Sequence, residues 1–179
     1  MRIAGIAGLT IAIVASVAFE ADSLSWGPSH EGLRMGIGLA QASSESVLRI
    51  VVENIGPTKR DLLLGGMTGN GPMRNLQFTG TAPDGTECEV LNLADAGPVA
   101  GLVLPLIAHL APGATYEILL PLRKLIYVKD RTDITLETLL AKGYSVRASL
   151  EVDAQGAQWA GIPAPWFGKL ISGEFRFKK

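Results

Sequence analysis

Residues 144–152 read Tyr-Ser-Val-Arg-Ala-Ser-Leu-Glu-Val, so every second side chain is apolar. Strict period-two alternation describes a strand with one buried face and one wetted face. The pattern recurs. Leu33, Met35, Ile37 and Leu39 alternate with Arg34, Gly36, Gly38 and Ala40, and Leu48, Ile50 and Val52 alternate with Arg49 and Glu53. Central strands of a parallel sheet are covered on both sides and read as apolar throughout. These strands are therefore expected to be antiparallel, in sheets that bury one face each by packing together.

Turn chemistry separates the alternating segments. Asn54-Ile55-Gly56-Pro57, Pro83-Asp84-Gly85 and Ala111-Pro112-Gly113 combine residues that bond back to the chain, fix φ or tolerate positive φ. Arg60 to Leu64 reads as a short buried strand, Gly65 to Pro72 as a glycine-rich loop, and Asn75 to Leu93 as a hairpin. Pro105 makes Leu102 to Leu106 an edge or irregular segment. Tyr116, Ile118 and Leu120 face inward, as do Ile171, Phe175 and Phe177 of a last strand, with Ser172 and Glu174 outside. One helix is expected over Ile134 to Lys142, capped by Thr132 or Asp133 and stopped by Gly143. The fold class is all-β: an immunoglobulin-like antiparallel β-sandwich of about seven to nine strands with one short helix. A small barrel would use the same alternation.

The chain opens on Arg2, an uncharged and mostly apolar run from Ile3 to Phe19, and the small residues Ser16-Val17-Ala18. That is the anatomy of a secretory signal peptide. The expected organisation is a signal at 1–18, a linker at 19–31 and one domain at 32–179. The chain is then secreted or periplasmic, with no stable membrane span after cleavage. A net charge of −1 gives no electrostatic reason to bind nucleic acid. The single cysteine, Cys88, forms no internal disulfide, and its alternation with Glu87 and Glu89 places it beside Val90 on a buried face.

Several motifs occur in a recognisable order. Trp26-Gly27 precedes Gly32-Leu33-Arg34-Met35-Gly36-Ile37, and Asn54-Ile55-Gly56 ends a strand. Leu110-Ala111-Pro112-Gly113 forms a turn, Gly143-Tyr144 leads into a strand containing Arg147, and Trp166-Phe167-Gly168 is followed by Ser172-Gly173. The set resembles exported bacterial immunoglobulin-like domains. That resemblance implies fold and compartment, and it supplies no catalytic residue.

Chemistry-bearing residues are sparse. His30 lies in the linker and His109 in a short loop before Pro112. The glycine-rich loop Gly65 to Gly71 ends in Gly-Pro and lacks the Gly-Lys-Ser/Thr ending of a phosphate loop. His and Cys donors do not cluster, so no metal or cofactor is expected. Asp130, Asp133 and Glu137, the densest acidic group, read as helix capping and a solvated face rather than a calcium loop. Trp159 and Trp166 are the candidate ligand-binding residues, because surface aromatics stack on sugars or anchor proteins. The expectation is a non-catalytic module that meets a protein or glycan partner outside the cytoplasm. The alternative is a carbohydrate-binding module built on those two tryptophans, and an enzyme with an unrecognised site stands third.

Overall fold

The computed structural model describes residues 24–42, 45–68, 71–93, 103–129, 132–155, 161–162 and 165–176. Its first strands are β1 (Ser25–Trp26), β2 (Leu33–Ala42), β3 (Glu45–Asn54), β4 (Arg60–Thr68) and β5 (Gly71–Arg74). There follow β6 (Leu76–Thr81), β7 (Glu87–Asn92), β8 (Leu104–Leu110), β9 (Thr115–Pro121) and β10 (Leu125–Lys129). The last are β11 (Thr132–Thr135), β12 (Ser145–Val152), β13 (Pro165–Trp166), β14 (Gly168–Ile171) and β15 (Phe175–Arg176). One short helix, α1 (Leu136–Ala141), sits between β11 and β12.

The strands form an all-β, antiparallel sandwich. One sheet runs β1-β2-β3-β9, and the other runs β11-β10-β7-β6-β12-β14, with β15 also on β12. A third group, β13-β4-β5 with β8 on β4, spans the side between them. The short β13–β4 contact is parallel; the other pairs are antiparallel. Among the described residues these sheets do not close into a barrel. No described helix is long and apolar enough to cross a membrane.

Alternation decides the core. Leu33, Met35 and Ile37 of β2 and Leu48, Ile50 and Val52 of β3 present one buried face. Phe78, Val90, Val146, Ala148, Leu150 and Leu170 meet it from the opposite sheet. Leu62 and Leu64 of β4 and Leu110 of β8 fill the side. The outer face of the β1–β9 sheet carries ion pairs between Arg34 and Glu53 and between Arg49 and Glu117.

Several segments differ from the sequence reading, each for a local reason. Ser25–Trp26 belongs to the fold and not to a linker, because β1 pairs with β2 at Ile37 and Gly36. The named strands outnumber the expected seven to nine, since short pieces such as β1, β13 and β15 lack room for a visible period. Residues 65–68 continue β4 through a bulge at Leu63/Gly65, where Gly65 takes φ 139°; glycine tolerates that backbone and a side chain resists it. The helix starts at Leu136, with Thr135 as its cap: the Thr135 hydroxyl accepts from the Thr138 N–H. Thr132 and Asp133 pair with β10 instead. Leu170, not Ile171, faces the core, and Ser172 is buried rather than outside. Phe177 and Asp130 lie outside the described residues.

Candidate functional site

Five of the recognised motif segments converge on two structural junctions. The first is centred on Asn54, which is fully buried. Its Nδ2 donates to the carbonyls of Thr58 (2.8 Å) and Leu110 (2.9 Å), and its Oδ1 accepts from the Gly56 N–H (3.0 Å). Its backbone N–H donates to Ala114 O, and its own carbonyl accepts from the Gly113 N–H. The Ile55 and Gly56 N–H groups both donate to Gly32 O. The Asn54 side chain and the backbone of residues 54–56 together tie the Gly32 turn before β2, the Gly56 turn after β3 and the Pro112-Gly113 turn between β8 and β9.

The second junction joins the two ends of the described chain. The Gly173 N–H donates to Ser25 O at 3.0 Å, and the Gly27 N–H donates to Met35 O at 2.9 Å. A Cβ on Gly27 would stand 1.7 Å from the Ile171 carbonyl oxygen, and one on Gly173 2.3 Å from Ser25 Oγ. Only glycine allows backbones this close. Ser172 completes the clasp: its hydroxyl accepts from the Ala148 N–H and donates to Gly173 O. Trp26 lies against Gly36, and the Arg34 guanidinium sits 4.2 Å from its ring while binding Glu53 at 2.7 Å.

Trp166 is 1 % exposed. Its Nε1 donates to His30 O at 3.3 Å, and its ring meets the His30 ring edge-on at 5.7 Å. A buried indole offers no face to a sugar, so Trp166 is a core residue and cannot be half of a stacking platform in this conformation. Trp159 lies outside the described residues.

His109 is brought to a carboxylate that the sequence did not pair with it. Its Nδ1 lies 2.7 Å from Asp61 Oδ1, because Asp61 and His109 are cross-strand partners in β4 and β8. It stands on a strand and not in a loop. Lys59 reaches the same oxygen at 3.2 Å. The bond with His109 holds the Asp61 carboxyl below the ordinary carboxylate range; desolvation opposes the shift and Lys59 adds to it. An imidazole oriented by a carboxylate is a component of a hydrolytic triad. Here the His109 side chain is 62 % exposed and the pair stands in water, where such an interaction is weak. Cys88 is half-buried over Gly80, on the same side as Val90, and burial pushes its thiol pKa up, against a hydrogen bond with the Gly80 backbone. A thiol so placed is a poor nucleophile. Among the described residues no group of three or more His, Cys, Asp or Glu is arranged to hold a metal ion.

The outward side of β7 is the surface the sequence reading undervalued. Glu87 and Glu89 are exposed and border a groove of ≈ 310 Å³ shared with Gln77 and Thr79. Alternation placed both glutamates in water, as found. No family model, curated protein or solved structure matches the chain.

Proposed function

We propose that the chain is an exported, non-catalytic binding module of the cell envelope or extracellular space, an immunoglobulin-like sandwich whose contacts lie on strand edges and loops. The observation that carries this reading is the use made of its recognisable residues. Asn54, Gly27, Gly173, Trp166 and Arg34 are engaged in joining turns and chain ends. The motifs describe a scaffold, and a scaffold leaves recognition to the variable surface around it. The Asp61–His109 pair fits the same view, as an exposed cross-strand contact. Export rests on the charged, apolar and small-residue order of the first residues.

The test is recovery of the tagged chain from the exported fraction, with its co-purifying partners named by mass spectrometry. A defined partner retained by the folded chain and lost on unfolding is the expected result. Recovery only from the cytoplasm, or hydrolytic activity abolished by His109→Ala, would overturn the reading.

A further inference from the structure

We propose that Arg60 is the anchor of a carboxylate-binding site, which receives an aspartate or glutamate side chain from an acidic segment of a partner protein. Arg60 opens β4 on the core-facing side of the strand, in line with Leu62 and opposite Leu110 of β8. Its Nε is buried and has no hydrogen-bond partner, while the residue as a whole is half-buried. Other arginines each meet a glutamate: Arg34 with Glu53, Arg49 with Glu117, Arg123 with Glu45, and Arg176 with Glu174. Among the described residues no carboxylate meets Arg60. The adjacent acid, Asp61, points to the other face of β4, where His109 and Lys59 hold it.

A buried N–H without an acceptor costs stability, and folded proteins hold few of them. An apolar side chain of similar length would fill the same place without that cost. What arginine adds is a fork: Nε–H and a terminal N–H lie parallel and match the two oxygens of a carboxylate. The Asn54 junction fixes where this fork stands. Asn54 Nδ2 donates to the carbonyl of Thr58, two residues before Arg60, and to that of Leu110, the cross-strand partner of Arg60. The turn after Asn54 carries Ile55, 49 % exposed, which gives an incoming segment an apolar contact. One guanidinium suits the single charge of a carboxylate. A phosphate group draws on a cluster of cations, and the neighbouring Lys59 is engaged by Asp61. The inference rests on the binding-module reading and names the surface and the chemistry of the partner.

The probe is a short synthetic peptide alternating aspartate and valine, compared with the same peptide carrying asparagine for aspartate. Fluorescence anisotropy is expected to show the aspartate peptide binding and the asparagine peptide binding about tenfold more weakly. Arg60→Met is expected to lose about tenfold in affinity for the aspartate peptide. Arg60→Lys, which keeps the charge and loses the fork, is expected to fall between the two. Without peptide, Arg60→Met is expected to unfold at or above the wild-type denaturant midpoint, since the orphaned donor is gone. A lower midpoint assigns Arg60 a structural role and overturns the proposal. Equal binding of the two peptides, no binding by either, or unchanged affinity in Arg60→Met overturns it as well. So does displacement of the peptide by inorganic phosphate at concentrations where acetate has no effect, which makes the ligand a phosphate group. A pull-down from the exported fraction separates the two readings. If wild type and Arg60→Met capture the same partner equally, the Arg60 site falls and the binding module stands; if neither captures one, both fall.

Discussion

Asn54 holds its junction by donating from one buried side-chain amide to the carbonyls of Thr58 and Leu110. Truncation leaves the buried Leu110 acceptor without this donor, at about 1–3 kcal/mol, and also removes the bonds to Thr58 and Gly56. Asn54→Ala is therefore expected to destabilise the fold by about 2–4 kcal/mol in denaturant titrations. Asn54→Asp sets a carboxylate against the same carbonyls and is expected to do as badly at neutral pH. Its deficit should narrow in acid, where protonation restores one donor. Glu174 gives a second pH effect. The Ser145 hydroxyl, and then Arg176, hold its carboxyl below the ordinary range, against partial desolvation. A depressed carboxylate stabilises the fold above its unfolded pKa and loses that contribution as pH falls through the folded value. Glu174→Gln should flatten this part of the acid limb in melts taken across the carboxylate range, whereas an unchanged limb would assign acid sensitivity elsewhere. Asn54 was legible in the sequence as a strand-ending turn residue. Its role was not, because Leu110 lies 56 positions away.

At the level of elements, the clasp between β1 and the Ile171–Gly173 segment makes the plainest prediction. Gly27→Ala places a methyl within the space of the Ile171 carbonyl. It should cost ~3 kcal/mol, the upper part of the overpacking range, seen as a lowered melting temperature. A wild-type melt in that variant would mean the clasp is loose in solution. Strands long enough to show period two, such as β2, β3 and β12, were readable because alternation and burial coincide along them. The hairpin of β6 and β7 was readable from Pro83-Asp84-Gly85, where Asp84 Oδ1 accepts from the Thr86 N–H. β5, β10 and β11 were not. They are short, and pairing rather than pattern makes them strands. The helix cap was displaced for the same reason, since Thr132 and Asp133 are held in the ladder to β10. Thr135→Ala should remove about 1 kcal/mol of stability and Thr132→Ala less.

For the whole molecule, the sandwich joins near and distant parts of the chain through one core, with β1 packed against the segment that ends the described fold. Five of the motif segments lie at its junctions, where parts distant in sequence meet. Of the candidate site, the sequence supplied the tryptophans and the histidines. It could not show that Trp166 closes the core or that His109 meets Asp61, since each depends on which strands become neighbours. Among the described residues pairing begins at Ser25, so removal of residues 1–18 would leave every described pairing intact. The most direct test of an exported module is the intact mass of the chain recovered from outside the cytoplasm. The account predicts a protein that starts at Phe19; a chain that keeps Met1 and stays inside the cell would contradict it.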